Sequence, residues 1–358
     1  MSRSVPTIRD VAERAGVSPG TVSNVLGNRK PVDPVLAERV RRAAAELGYR
    51  VHRAASQLRS GRTKVVAVLV PGLENPFFTA LVAALERCTR AEGYEIIVGS
   101  AGEDEDVEAN RLSALLSWRP AGVVIVPCRD RFATRSLLVE ERVPFVVVDR
   151  VADDIEADCV AIDNAAAAGA AAEHLIGLGH REILVAASTS QVANIRARCA
   201  GIREAVAGVP GGTVEILELG PTFETAAERM EARMRAGPLP SAAIALTNFT
   251  TLALLGSLTR FGVRVPDDLS LVGFDDYAWM QATTPSITAV RQPIDRMAAE
   301  AWRCLSARMA GSDAPWRRAE FAAELEIRQS TRPAVPAPGT SRREGKSEVR
   351  RVQQGRTT

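Results

Sequence analysis

A stretch of small polar residues near the N-terminus has the chemistry needed to recognise DNA. Asn24 can form a bidentate pair of hydrogen bonds with adenine, whereas Pro19 and Gly20 offer only shape and apolar contact. Hydroxyl, amide and basic side chains surround them, and such groups contact phosphates, which fixes register without reading sequence. These candidate phosphate contacts are Ser18, Thr21, Ser23, Asn28, Arg29 and Lys30.

Two short helices joined by a tight turn are predicted to position this stretch. Thr7 has the features of an N-cap with Asp10 three residues later, and Gly16 is expected to end the first helix. Ser18 can cap a second helix that has Pro19 at its first position, where the missing N–H is not needed. This arrangement is a helix-turn-helix, whose second helix enters the major groove.

A third helix is predicted from Pro34, after Asp33, to a stop at Gly48. Its predicted inward residues are Val35, Leu36, Val40, Ala43, Ala44 and Leu47. A small three-helix bundle without a nucleic-acid role is the alternative interpretation, and the charge distribution argues against it. Residues 1–64 carry a net charge of +8, residues 65–331 carry −11 and residues 332–358 carry +5, within an overall +2. A basic head of this size favours a polyanion partner, whereas the acidic body would repel one.

The body alternates short apolar β-branched segments with helical stretches, and this alternation occurs twice. Such a pattern predicts two doubly wound parallel sheets, with ligands at the carboxyl ends of the strands in an interdomain cleft. Gly273 to Asp276 end a buried strand, where a ligand carboxylate is expected. The predicted strands are 65–70, 95–98, 122–126, 145–148, 159–162, 183–187, 214–219, 242–246, 269–273 and 288–290.

Motifs for catalysis, metal binding and export are missing from the sequence. It contains no GxGxxG, no P-loop and no GxSxG elbow, so an enzyme, in particular a dinucleotide enzyme, is not predicted. The five cysteines form no CxxC pair and the three histidines share no ligand spacing, so we expect reduced thiols, no metal and no cofactor. No apolar segment is long enough to span a bilayer and no leader is recognisable, so a cytoplasmic protein is expected.

The head resembles the LacI/GalR family of transcriptional regulators. The residues that carry this resemblance are 7–12, 15–18 and 21–26, followed by 45–49 and the hinge segment 53–58. The resemblance implies that Thr7, Arg53, Ala55 and Leu58 also contact DNA, with Leu58 inserted between central base pairs. Six residues are too few for a stable isolated helix, so the hinge should order only against DNA and a partner chain. Val51 and His52 stand where the family often has proline and asparagine.

The body resembles the effector-binding core of the same family, which is similar to periplasmic sugar-binding proteins. The resemblance rests on motifs such as Asn75-Pro76-Phe77-Phe78, Thr247-Asn248 and Gly273-Phe274-Asp275-Asp276. It implies a homodimer on a pseudo-palindromic operator and effector contacts from Asn75, Phe77, Asp149, Arg198, Phe223, Asn248 and Asp275. Carboxylates, amides and a guanidinium suit sugar hydroxyls, and an aromatic ring suits the apolar face of a sugar.

Departures from the family leave the effector open. Phe249 stands where the family usually has aspartate, which puts the sugar type in doubt. Val192 and Asn194 replace residues of the purine-responsive members, which argues against a purine. The alternatives are a regulator that responds to a non-sugar molecule or a partner protein and, less favoured, an enzyme fused to a DNA-binding head.

The complete prediction is an N-terminal all-α helix-turn-helix domain followed by an α/β periplasmic-binding-protein-like core of two doubly wound parallel-sheet subdomains. The predicted domains are 1–50 for DNA binding, 51–64 for the hinge and 65–331 for the core. Within the core, the N-subdomain comprises about 65–162 and 292–320, and the C-subdomain about 163–291 and 321–331. Residues 332–358 are predicted to be a disordered basic tail that either adds non-specific DNA affinity or only aids solubility. The predicted function is that of a repressor of carbohydrate-utilisation genes that a sugar releases from its operator.

Overall fold

The computed structural model describes residues 6–27, 30–49 and 63–335. The head consists of helices α1 (Ile8–Ala15), α2 (Pro19–Gly27) and α3 (Pro34–Leu47). Thr7 and Asp10 form the predicted capping box, with the Thr7 N–H 2.6 Å from Asp10 Oδ2. Gly16 ends α1 at φ 63°, a left-handed conformation that glycine adopts without steric cost. The Ser18 hydroxyl accepts the Thr21 N–H at 3.1 Å, so Ser18 caps α2 as the sequence predicts.

Small apolar residues from all three helices form the core of the head. They are Val11, Ala12, Ala15, Val22, Val25, Ala37, Val40, Ala43 and Ala44. The prediction that Val35 points inward is wrong, because its side chain is 70% exposed. Val35 lies five residues before Val40, which turns it about 140° away from the buried face of α3 at 3.6 residues per turn. Ala37, three residues before Val40, occupies the inward position instead.

The chain divides into two units, each built around one six-stranded sheet. Unit 1 comprises Met1–Glu74, Phe78–Val160 and Ile294–Ala319, and unit 2 comprises Asn75–Phe77, Ala161–Pro293 and Glu320–Thr358. The first sheet has the order β11-β5-β4-β3-β1-β2 and the second has the order β12-β10-β9-β8-β6-β7. The strands are β1 (Val65–Val70), β2 (Glu95–Ser100), β3 (Gly122–Ile125), β4 (Phe145–Val148), β5 (Asp158–Ile162), β6 (Glu182–Ala187), β7 (Thr213–Glu218), β8 (Ala242–Ala245), β9 (Ser270–Phe274), β10 (Thr288–Arg291), β11 (Arg318–Phe321) and β12 (Glu324–Glu326).

The central strands β3, β4, β8 and β9 are completely buried. Burial on both faces of the sheet explains why their sequences are continuously apolar. The neighbouring strands among β1 to β5 and among β6 to β10 pair in parallel, whereas β12 runs antiparallel to β10. The ten predicted strands are present with ends shifted by at most two residues. Strands β11 and β12 were not predicted, because their short charged sequences carry no apolar signal.

The helices of the body follow the strands in the order expected for doubly wound sheets. They are α4 (Pro76–Ala91), α5 (Glu105–Leu116), α6 (Arg135–Glu140), α7 (Asn164–Gly177), α8 (Ala193–Ala207), α9 (Phe223–Ala236), α10 (Asn248–Arg260), α11 (Ala278–Ala282) and α12 (Ile294–Met309). Since most of the parallel strands lead into a helix, the loops at the carboxyl ends of these strands gather at one edge of each sheet.

The start of the predicted disordered tail is packed against unit 2. The Arg332 carbonyl oxygen lies 3.0 Å from His180 Nε2, and the Ala334 N–H donates to the Leu178 carbonyl at 2.8 Å. The prediction of disorder is therefore wrong for residues 332–335, whose backbone is fixed by tertiary hydrogen bonds. Residues 336–358 lie outside the described residues.

Candidate functional site

The head presents its predicted DNA-contacting residues on the outer side of α1 and α2. Ser18, Pro19 and Gly20 are exposed, whereas Val22 and Val25 are buried against the other helices. Thr7 is also exposed, and Thr21, Ser23 and Asn24 are half-buried. The predicted contacts Asn28, Arg29, Arg53, Ala55 and Leu58 lie outside the described residues.

Two arginines that sequence reasoning did not single out fix the geometry of the head. The Arg39 guanidinium, on α3, donates to the backbone carbonyls of Ala15 and Gly16 at the turn between α1 and α2. Arg14 bonds the Glu46 carboxylate at 2.8 Å and so ties α1 to α3. The turn before α2 is therefore held by a side chain as well as by the left-handed Gly16.

In unit 2, Asp275 follows β9 at the carboxyl edge of the sheet, as predicted. Its side chain is 8% exposed and its backbone is left-handed, with φ 75°. One carboxylate oxygen accepts from Gln292 Nε2 at 2.6 Å, and the other accepts from the Asn248 N–H at 3.2 Å. Asn248 begins α10 after β8, and Gln292 follows β10, so three neighbouring strands deliver these groups to one place.

Three buried polar atoms of this edge have no hydrogen-bond partner among the described residues. They are Asn248 Nδ2, Tyr277 Oη and Gln292 Oε1. Burial raises the pKa of the Tyr277 phenol, and the nearby Asp275 carboxylate raises it further, so the hydroxyl keeps its proton. A buried polar group without a partner is costly in free energy, and such a group points to a ligand or a bound water.

Arg198 is buried on α8 in the same unit. Its Nε donates to Asn164 Oδ1 at 2.8 Å and its Nη1 donates to the Leu246 carbonyl at 2.6 Å. Its guanidinium lies 3.8 Å from the centre of the Phe274 ring, and such stacking orients the planar group. Arg198 therefore contacts the loop after β8 and the last residue of β9.

The other predicted residues of unit 2 lie in two further segments. Asn75 is half-buried, and its Oδ1 accepts the Phe77 N–H at 3.1 Å where α4 begins. Phe77 is buried at 3% exposure, whereas Phe223 begins α9 and is 43% exposed.

In unit 1, Asp149 follows β4 and has the same backbone conformation as Asp275. Its φ is 68° and its side chain is 4% exposed. The next residue, Arg150, forms a double hydrogen bond with Glu103, each at 2.6 Å. Glu103 thus pairs across the edge of the sheet. The next residue, Asp104, caps α5 through the N–H groups of Asp106 and Val107.

Gln292, Tyr277 and Asn164 are the site residues that sequence reasoning did not select for this role. Gln292 directly follows β10 and Asn164 is the second residue after β5, and these positions at the ends of strands are the signal that could have found them. Tyr277 has no comparable signal, because burial of its hydroxyl depends on the packing of α11.

Comparisons with known proteins identify both parts of the chain. Residues 7–51 match the family of bacterial regulatory proteins of the lacI type, and residues 172–331 match a periplasmic binding protein-like domain. The chain is 32% identical over 332 residues to the HTH-type transcriptional regulator PtxS of Pseudomonas plecoglossicida, covering 92% of this chain and 97% of that protein. It is 28% identical to the HTH-type transcriptional repressor CytR of Escherichia coli, over 92% of this chain and 97% of that protein.

Two solved structures have the same fold. A complex of the transcriptional regulator CelR with cellobiose superposes with a TM-score of 0.68 at 28% identity, covering 91% of this chain and 99% of that one. The lac repressor dimer bound to operator and the anti-inducer ONPF gives a TM-score of 0.80 at 24% identity, covering 92% of this chain and all of that one.

These matches define a helix-turn-helix regulator with a periplasmic-binding-protein-like core. The chain belongs to the LacI family of bacterial regulatory proteins, and it is a ligand-responsive DNA-binding transcriptional regulator. The resemblance identified in the sequence and the predicted fold class are confirmed. Within the described residues, no helix is long and apolar enough to cross a membrane.

Proposed function

We propose that this regulator is a cytoplasmic repressor of carbohydrate-utilisation genes and that a sugar binding at the carboxyl edge of unit 2 releases it from its operator. The observation that carries this proposal is the buried Asp275 carboxylate, flanked by the unpaired Asn248 Nδ2 and Gln292 Oε1. The protein acts by binding, and no catalytic step is assigned to any residue.

The polar atoms at this edge match the hydrogen-bonding capacity of a sugar. A hydroxyl group can donate one hydrogen bond and accept two. One hydroxyl can therefore accept from Asn248 Nδ2, and it or a neighbouring hydroxyl can donate to Gln292 Oε1 or to Asp275. Because these atoms are already buried, each bond to a ligand removes the cost of an unpaired group.

The remaining effector residues that the sequence suggested are kept in the proposal. Arg198, Asn75 and Asp149 are further polar contacts, and Phe77 and Phe223 are apolar walls. The cellobiose in the CelR structure supports a sugar as the ligand class, and the name of the CytR repressor supports repression as the mode of control.

For DNA recognition, we propose that a homodimer reads a pseudo-palindromic operator. The lac repressor dimer on its operator supports this assembly. The proposed contacts are Thr7, Ser18, Pro19, Gly20, Thr21, Ser23, Asn24, Asn28, Arg29, Arg53, Ala55 and Leu58. Of these, Asn24 is proposed to read adenine, and Leu58 is proposed to open a base step.

A thermal-shift screen followed by gel shift tests the proposal. The full chain is heated with monosaccharides and disaccharides, including glucose, ribose and cellobiose, because a ligand that binds only the folded state raises Tm. Each sugar that raises Tm is then titrated into the complex of the protein with DNA from its own promoter region. The expected result is release of the DNA by at least one sugar. A Tm that no sugar changes would contradict the sugar effector.

A further inference from the structure

The residue after Asp275 forms a buried ion pair that the predicted effector site does not include. The Asp276 side chain is 1% exposed and that of Arg328 is 17% exposed. Arg328 Nη1 lies 2.6 Å from Asp276 Oδ1, and Nη2 donates to Oδ2 at 2.8 Å. The carboxylate is therefore joined to the planar guanidinium by one hydrogen bond, to Oδ2, and by a close charge contact at Oδ1.

Arg328 is itself fixed by backbone contacts. Its Nη1 also donates to the Ile287 carbonyl at 2.7 Å, and its N–H donates to Thr288 Oγ1 at 2.9 Å. Two residues later, Ser330 Oγ accepts the Thr288 N–H at 2.8 Å and donates to the Leu271 carbonyl at 2.6 Å. The chain after β12 is thus bonded to both β10 and β9, and it presents the guanidinium at a defined position.

The loop that Arg328 holds has an unfavourable backbone conformation. Asp275 has φ 75°, which residues other than glycine rarely adopt and which persists only when surrounding contacts impose it. On one side, the Asp275 N–H donates to the Val290 carbonyl at 2.8 Å. On the other side, the Arg328–Asp276 pair holds the residue that follows Asp275.

We propose that Arg328 is a positioning residue for the effector, acting through Asp276 to keep the Asp275 carboxylate in its binding orientation. The inference rests on the proposed function of Asp275. Loss of the pair would let Asp275 relax toward ordinary backbone angles, and the carboxylate would leave its place beside Asn248 and Gln292. Effector affinity would fall while DNA recognition, which belongs to the head, would stay.

Three variants of the full chain test this role. The double variant Asp276→Asn with Arg328→Gln removes both charges, so no unpaired charge is left buried. Arg328→Lys keeps the charge but loses the planar guanidinium that bonds both Asp276 Oδ2 and the Ile287 carbonyl. The double variant Glu215→Gln with Arg233→Gln is the matched control, because this pair has a similarly buried arginine, 20% exposed, but joins α9 to β7 at the opposite edge of the same sheet.

Two readouts are measured on each variant. The first is hydrogen exchange of the Asp275 amide without any sugar, which we expect to be faster in the variant without the Arg328–Asp276 pair and unchanged in the Glu215–Arg233 control. The second is the concentration of glucose, ribose or cellobiose that releases half of the bound DNA. We expect it to rise about tenfold in the variant without the Arg328–Asp276 pair, as for a weakened hydrogen bond to a charged group, and less in Arg328→Lys.

The outcomes separate this inference from the proposed function. If none of the sugars acts on the unsubstituted protein, the sugar proposal fails, and the exchange rate at Asp275 alone decides whether Arg328 positions it. An unchanged exchange rate in the variant without the Arg328–Asp276 pair would overturn the inference. Equal losses of DNA affinity and effector response would also overturn it, because they indicate general damage to the fold.

Discussion

The carboxyl edges of the two sheets have the same backbone conformation, but their buried polar side chains differ in hydrogen bonding. An aspartate follows the fourth strand of each unit, Asp149 in unit 1 and Asp275 in unit 2, and both are left-handed and buried. Each donates its N–H to the next strand, at 2.9 Å to Val160 and 2.8 Å to Val290. In both units the following residue is locked in an ion pair.

The difference lies in the hydrogen bonding of the buried polar side chains in the two units. In unit 1 the Glu108 carboxylate accepts from the Cys128 N–H and the Thr134 hydroxyl, at 2.6 and 2.7 Å. Among the described residues, the buried side-chain atoms without a partner all belong to unit 2. The two edges thus share a backbone conformation, but among the residues that the structure describes only the edge in unit 2 has buried polar side-chain atoms that still lack a hydrogen-bond partner.

The largest expected effect on stability concerns the Glu103–Arg150 ion pair at the edge of the sheet in unit 1. Glu103→Gln should lower the free energy of unfolding by about 3 kcal/mol, because it leaves the buried Arg150 without its carboxylate. This value is at the lower end for a buried pair, since the Glu103 side chain is 28% exposed. Denaturant unfolding measures it, with Asp295→Asn as the control, whose exposed pair with Arg87 should contribute less than about 1 kcal/mol. Equal losses in the two variants would contradict the importance of the Glu103 pair.

A smaller difference in stability is expected between buried polar side chains that have all their hydrogen-bond partners and those that lack one. Thr134→Val in unit 1 should cost about 2 kcal/mol, because it removes a hydrogen bond to a buried carboxylate. Gln292→Met in unit 2 should change stability by less than about 1 kcal/mol, since the lost bond to Asp275 is offset by removal of the unpaired Oε1. The same denaturant measurement applies to both. Equal losses of unfolding free energy in Thr134→Val and Gln292→Met would contradict the difference in hydrogen bonding between the two units.

The features that the sequence predicts well are local or periodic. The caps at Thr7 and Ser18 depend on neighbours within three residues, so their residue types are sufficient to predict them. The buried parallel strands are apolar along their whole length, and Asp275 could be placed because it directly follows one of them. A site at the end of a strand can thus be predicted from the sequence whenever the strand itself can be predicted.

The features that escaped prediction depend on tertiary packing. Strand β12 contains two glutamates and is a strand only because it pairs with β10. Val35 fits an apolar pattern if the buried face of α3 is assigned two residues too early. Only the packing of the three helices determines which face is buried. Arg328 and Asp276 are 52 residues apart, and no local pattern shows that they form a buried pair.

Asp275→Ala tests most directly whether unit 2 holds the effector. The measurement is the gel shift of full-length protein on its operator, titrated with the sugar that raises Tm most, beside Asp267→Ala as the control. Asp267 is an exposed aspartate of the same unit and pairs with Arg332. The expected result is that Asp275→Ala binds the operator as the unsubstituted protein does and no longer releases it, while Asp267→Ala responds normally. Loss of operator binding together with the response, or a normal response, would contradict the assignment of Asp275 to the effector site.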